Sequence, residues 1–237
     1  MPNSWFRFKQ FTIEQDSCAM KVGTDGVILG AWTNTEGCRT ALDIGTGTGL
    51  LALMLAQKSS MLNIVAIEID PRAASQAAAN AENSKFKDRI TVLHCSLGDL
   101  PVSNPAGRYD LIICNPPYFT ASMRNISKER TIARHDDALA LPELVHSVSR
   151  LLFGKGRFYL ILPVQSRDIL EGLIGLYGLC INRILEIFPT PEKEAVRMCF
   201  EISRNHSVRK HEKLIIETGG RHHYSTEYRE LTGDFYL

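Results

Sequence analysis

The chain has 237 residues, 44% hydrophobic and 22% charged, the make-up of one globular domain close to the upper size for a single core. A formal net charge of +1 excludes a globally basic nucleic-acid binder, so any nucleic-acid contact must come from local patches. No apolar run reaches the roughly 18 residues of a membrane span, MPNSWFRFKQ lacks the apolar core of a signal peptide, and the cysteines stand singly without a C-x-x-C pair, so a cytosolic, cytoplasmic protein with buried thiols is expected.

Within the first 38 residues, DGVILGAW spaces its apolar residues at helical intervals, and Trp32 is expected to pack that helix on the core. From Leu42 to Pro163 short β-branched apolar runs alternate with helical patterns, the mark of successive β-α-β units in a parallel sheet. The strands read as TALDI, NIVAIEID, RITVLHC, YDLIIC and GRFYLILP. The helices between them read as LLALMLAQK, an alanine-rich segment opened by Pro71 and capped by Asp70, and the amphipathic LPELVHSVSRLLF. RDILEGLIGLYG then predicts a helix, and CINRILEIFP and AVRMCFEISR predict two more strands joined by a loop. The predicted fold is α/β: a seven-stranded, mostly parallel sheet with helices on both faces, Rossmann-like, its last two strands an antiparallel hairpin at one edge. One domain is expected, with a core at 39–204, an extension at 1–38 covering the ligand pocket, and a second extension at 205–237.

DIGTGTG, Asp43 to Gly49, follows a strand and opens a helix, where the backbone must turn tightly and approach a ligand closely. A glycine turn can also serve packing alone. Two details point to a ligand: Gly45, Gly47 and Gly49 depart from the dinucleotide spacing G-x-G-x-x-G, and Asp43 lies inside the strand end. The pattern suits a nucleoside without a pyrophosphate. Glu68 ends the next strand, where its carboxylate can accept both ribose hydroxyl hydrogens.

Asn115-Pro116-Pro117-Tyr118 follows YDLIIC and so stands on the rim that carries the glycine loop. An Asn-Pro step alone marks a turn, but here it can do specific chemistry. An aromatic amino nitrogen is a poor nucleophile because its lone pair is delocalised into the ring. The Asn115 side-chain oxygen and the Pro116 carbonyl can accept its two N–H bonds and favour a pyramidal nitrogen, while proline contributes no competing donor. Tyr118 can stack on an extruded base, a contact worth roughly 1–3 kcal/mol.

RNISKERTIAR after this motif carries Arg124, Lys128, Arg130 and Arg134, which suit phosphate contacts beside the target as well as they suit a solvated loop. NHSVRKHEK, Asn205 to Lys213, is a second basic run with the same two readings. His135 reads as a structural histidine because the reaction needs no general base. His222 and His223 lack ligand partners at metal spacing, so no metal is expected. No exposed apolar stripe separates itself from the core helices, and a monomer without membrane attachment is expected.

With DIGTGTG, Glu68 and NPPY in this order, the chain resembles class I S-adenosylmethionine methyltransferases of the amino-group subset. KVGTDGVILGAW (Lys21 to Trp32), ICNPPY, ARHD (Ala133 to Asp136) and LTGDFYL extend the resemblance, over nearly the whole chain, to the bacterial tRNA1(Val) adenine N6-methyltransferase family. That resemblance implies S-adenosylmethionine as cofactor and a tRNA partner, methylated at N6 of the adenine 3′ of the anticodon. It implies that Asp43, Gly45, Thr46, Gly47 and Gly49 line the cofactor, that Glu68 holds its ribose with Ile69 beside it, and that Asn115, Pro116 and Tyr118 hold the target base, with Pro117 and Phe119 alongside. Thr24 and Asp25 would close the methionine end. Ser96 stands where many such enzymes place an Asp for the cofactor adenine, so Ser96, the Leu97 backbone and Asp99 share that expectation. A glutamine amide methyltransferase acting on a release factor, a ribosomal RNA guanine methyltransferase and a non-catalytic RNA-binding module on this fold remain alternatives. The first commonly carries a separate helical N-terminal domain, for which 38 residues leave no room.

Overall fold

The apolar runs become strands and helices close to where their periodicities put them in the computed structural model, which describes residues 3–18, 20–100, 109–116 and 140–236. A short hairpin, β1 (Trp5–Arg7) and β2 (Thr12–Glu14), precedes α1 (Thr24–Trp32). Then come β3 (Thr40–Ile44), α2 (Leu50–Lys58), β4 (Asn63–Glu68), α3 (Pro71–Glu82), β5 (Ile90–His94) and β6 (Tyr109–Cys114). The second half holds α4 (Leu141–Leu151), β7 (Leu152–Pro163), α5 (Arg167–Leu176), β8 (Cys180–Phe188), β9 (Arg197–Ser203), β10 (Lys210–Ile215) and α6 (Thr226–Thr232). Pro71 opens α3 at a position whose N–H would have no helical partner, and the Asp70 carboxylate accepts from Ala73 N at 2.8 Å. No helix among the described residues is long and apolar enough to cross a membrane.

The main sheet runs β10-β8-β9-β7-β6-β3-β4-β5. Strands β7, β6, β3, β4 and β5 are mutually parallel, and β9 lies antiparallel to both β7 and β8. This corrects the predicted count and the predicted edge: among the described residues the sheet has eight strands, and the β8–β9 hairpin is interior to it. The outer position belongs to β10, which pairs parallel with β8 from Lys210↔Arg183 to Ile215↔Phe188. Its sequence, KHEKLI, buries only Leu214, as an edge strand can. The strand is tethered through charge. Arg183 donates to Glu212 on β10 (3.0 Å) and to Glu201 on β9 (3.1 Å), and lies 4.4 Å over the Trp32 ring, whose Nε1 donates to Glu212 at 2.9 Å. A second correction concerns Leu152 and Phe153, expected in the helix; they begin β7.

Alternation along the central strands divides the core between the two faces. Ala41, Leu111, Ile113, Tyr159 and Ile161 face α1, α2 and the terminal additions; Leu42, Ile112, Phe158 and Leu160 face α4 and α5. Both faces are covered, which is why these strands are apolar throughout and the sheet offers ligands only its ends.

Candidate active site

Register fixes which residues meet at the carboxyl rim. Ile44 at the end of β3 pairs with Ile67 of β4 and with Cys114 of β6, so the next residue, Gly45, stands between Glu68 and Asn115. Neighbouring strands are about 4.8 Å apart. The chain proceeds from β3 to β4 and β5 on one side and returns to β6 on the other, and such a reversal opens a crevice at strand ends.

The glycine loop is shaped by hydrogen bonds from both sides. Gly45 N and Thr46 N both donate to Ile67 O at 3.0 Å. Gly45, Gly47 and Gly49 have φ of 68°, 57° and 84°, the left-handed region in which a side chain costs energy. At Gly45 and Gly47 nothing among the described residues lies within 4 Å of where a Cβ would stand, leaving backbone open to a ligand, whereas Gly49 packs against Ala77 of α3.

Asp43 is fully buried beneath the loop. Its Oδ2 accepts from Thr46 Oγ1 at 2.5 Å and from Ala52 N at 3.2 Å in the first turn of α2. Burial pushes its pKa up to about 7 against the opposing pull of these two bonds, with the Glu68 charge adding to the rise. Among the described residues its Oδ1 meets no donor, so one buried acceptor under the loop is uncommitted.

Glu68 pins the loop to β4. Its Oε2 accepts from Gly47 N at 2.8 Å, and its Oε1 accepts from Ile69 N at 2.9 Å and Asp70 N at 3.0 Å. A carboxylate has about four acceptor sites, and with three engaged it retains one for a ligand hydroxyl. Ile69 beside it is 49% exposed, an apolar surface on the rim. The Ser96 hydroxyl donates to Asp99 Oδ2 at 2.7 Å and caps the short 3-10 turn Leu97–Asp99. Asp99 is thus held beside Ser96, and Leu97 is buried.

Asn115 is half-buried and Pro116 buried, directly past β6. Gly26 in the first turn of α1 lies against Asn115: a Cβ there would stand 3.6 Å from Asn115 Nδ2 and 3.1 Å from Leu50 Cδ2. Thr24 is exposed, and Asp25 is bound by Arg197 Nε at 2.8 Å, which fixes the start of α1 to the start of β9. The structure therefore brings together Thr24, Asp43, Gly45, Thr46, Gly47, Gly49, Glu68, Ile69, Ser96, Leu97, Asn115 and Pro116 around one rim. Pro117, Tyr118, Phe119, Arg124, Lys128, Arg130, Arg134 and His135 lie outside the described residues. The run Asn205–Arg209 sits at the opposite end of the sheet, because β9 runs from the rim at Arg197 to Ser203. A cavity of about 440 Å³ near Cys38, Arg39 and Lys58 also opens at that opposite end.

Sequence reasoning missed Gly26, Arg197 and Asn80. The signal for Asn80 was present: it is a polar residue on the helix face that buries Ala73, Ala77 and Ala81.

The residues present fit S-adenosylmethionine. A glycine turn with open backbone, a carboxylate with a spare acceptor at the neighbouring strand end, and an exposed Ile69 suit a nucleoside with an apolar wall. The Asn115 and Pro116 acceptors one strand away suit an amino group.

Comparison with known proteins agrees with this chemistry. Residues 26–161 match the family model described as "Methyltransferase small domain". The chain is similar to proteins named "tRNA1(Val) (adenine(37)-N6)-methyltransferase" from Bacteroides thetaiotaomicron (43% identical, covering 100% of this chain and 99% of that one). Proteins of the same name from Trichodesmium erythraeum (42%, 100% and 99%) and Flavobacterium psychrophilum (42%, 98% and 99%) are similar too. Among solved structures, a predicted O-methyltransferase from Agrobacterium tumefaciens superposes with a TM-score of 0.67 at 20% identity, over 89% of this chain and 96% of that one. A ribosomal protein L11 methylase from Lactobacillus delbrueckii subsp. bulgaricus gives 0.57 at 18% identity, over 82% and 84%. These two likenesses speak to the fold.

Proposed function

The chain belongs to the tRNA1(Val) (adenine(37)-N6)-methyltransferase family, and from that membership we propose that it methylates N6 of adenine 37 in a valine tRNA, in the cytoplasm, with S-adenosylmethionine as methyl donor. The observation that carries the reading is the placement of Asn115 and Pro116 beside Gly45, with Glu68 on the glycine's other side.

S-adenosylmethionine, when bound, supplies a methyl group on a positively charged sulfur, an electrophile that needs no metal. The chain's own residues prepare the acceptor. Asn115 Oδ1 and the Pro116 carbonyl accept the two amino hydrogens of the adenine, which favours a pyramidal nitrogen with its lone pair directed away from the ring. Because no general base is required beforehand, orientation and exclusion of water carry the step. Glu68 orients the donor's ribose, and the open backbone at Gly45 and Gly47 lets the donor lie close. Thr24, Asp25 and the segment preceding them cover the pocket. Tyr118, Pro117 and Phe119 contact the extruded base, and Arg124, Lys128, Arg130 and Arg134 contact flanking phosphates. The protein acts as a monomer.

Incubation with labelled methyl donor and, separately, tRNA1(Val) transcript, ribosomal RNA and total protein tests the reading, with the tRNA digested and its nucleosides identified by mass spectrometry. Label in N6-methyladenosine at position 37 is expected. Label confined to ribosomal RNA or protein overturns it.

A further inference from the structure

Asn80 lies in the third turn of α3, outside the glycine loop, Glu68 and the Asn115 motif, yet it reaches two of the elements that enclose the site. Its side chain is 2% exposed. Its Nδ2 donates to Thr48 O in the glycine loop at 2.8 Å and to Glu14 O at the end of β2 at 2.8 Å, while its Oδ1 accepts from Glu14 N at 3.0 Å. Both donor hydrogens and the acceptor are thus engaged, and no helix-surface role requires this.

The link matters because of the segment that leads from Glu14 to α1. Gln15, also buried, accepts from Val22 N at 2.9 Å and so ties the end of β2 to the residues just before α1. Cys18 within that segment is buried, and its thiol pKa is raised first by that burial and then by the charges of Glu68, Asp70 and Asp16. The strap ends at α1, where a Cβ on Gly26 would stand 3.6 Å from Asn115 Nδ2. Residues 15–18 and 20–23 therefore belong to a strap that leads from the Asn80 contact, beside Glu68, to the start of α1, and Asn80 is its anchor at the glycine-loop end.

We infer that Asn80 is a positioning residue that couples docking of this N-terminal strap to the conformation of the glycine loop, so that methyl-donor binding and strap closure favour each other through it. The inference rests on the methyltransferase reading of the site. The reciprocity of coupled equilibria requires that a variant lacking the link lose donor affinity and also lose the donor's effect on the strap.

The test compares the full-length protein with Asn80→Ala and with Asn80→Asp, which keeps the volume and the acceptor for Glu14 N but replaces the amide that donates to Thr48 O and Glu14 O. Ser225→Ala, which removes the N-cap of α6 and touches neither Asn80 nor the glycine loop, serves as the control for lost stability. Both Asn80 variants are expected to raise Kd for S-adenosylhomocysteine, measured by calorimetry, and KM for S-adenosylmethionine on the order of tenfold. They are expected to leave kcat at saturating donor and KM for tRNA within about twofold. In the wild type S-adenosylhomocysteine should slow tryptic cleavage after Lys21, and in the variants that protection should vanish. Donor Kd within twofold of wild type in Asn80→Asp, or protection at Lys21 that survives the substitution, overturns the inference. A wild type that binds no donor overturns the methyltransferase reading instead.

Discussion

Replacing Glu68 by glutamine separates the two jobs this side chain has at the rim. Oε1 serves two N–H groups, Ile69 and Asp70, and Oε2 serves one, Gly47. The amide oxygen of Gln will stay with the pair, which turns the NH2 group toward Gly47 N and sets donor against donor. The loss of that one charge-assisted bond is present with or without ligand, so it registers as stability: about 1.5 kcal/mol, since the site is half-open to water, or roughly 4 °C in Tm for a chain of this size. Affinity for the donor falls for a different reason, because one carboxylate oxygen can no longer accept from a ribose hydroxyl. That costs about 1.5–3 kcal/mol, roughly a 10- to 150-fold rise in KM for S-adenosylmethionine. Glu68 does not touch the reacting nitrogen, so kcat at saturating donor should stay within about threefold. Steady-state methylation of tRNA1(Val) over a donor titration measures both quantities. A Glu68→Gln variant with normal KM and a hundredfold lower kcat would refute the assignment.

Asn115→Ala should do the reverse, lowering kcat by roughly 100-fold or more while calorimetric Kd for S-adenosylhomocysteine moves less than about threefold, since the lost acceptor faces the target nitrogen; equal losses in both would show the role to be misassigned. Asp43 binds its proton more tightly folded than unfolded, with a folded pKa of about 7. The stability this carboxyl contributes is therefore complete below its ordinary range near pH 4 and is lost as pH rises through about 7. Thermal melts of Asp43→Asn and wild type should accordingly show the variant gaining relative to wild type between pH 4 and pH 7 and no further gain above pH 8, and a pH-independent difference would contradict the burial argument. Gly156→Ala should cost about 2 kcal/mol, or roughly 6 °C in Tm, because a Cβ there would stand 2.8 Å from Tyr109 O and 3.0 Å from Phe153 O, backbone atoms that cannot swing aside; an unchanged Tm would mean that β7 relaxes freely at this point.

Much of the site was legible because its residues obey local rules. TALDI followed by three glycines, an acid closing the next strand, and Asn-Pro closing a fourth each declare position on the rim once parallel order is granted. The helices α2 and α3 and their boundaries follow from apolar content, Pro71 and Asp70 in the same way. The features that were not legible depend on partners distant in sequence. β10 has too few apolar residues to read as a strand, and it is held by Arg183, Glu212 and Trp32, which come from three separate segments. β1 and β2 are three residues each, too short to show a period. The importance of Asn80 lies in bonds to Glu14 and Thr48, which no pattern within α3 specifies.

In the proposed reaction the methyl donor and the target nitrogen meet across Gly45. A crystal structure of the protein with S-adenosylhomocysteine and the tRNA1(Val) anticodon stem-loop tests it most directly. A ribose hydroxyl on the Glu68 carboxylate is expected, with the adenine amino group between Asn115 Oδ1 and Pro116 O, facing the sulfur. Homocysteine sulfur lodged away from the end of β6, or an adenine held with its amino group turned from Asn115, would contradict it.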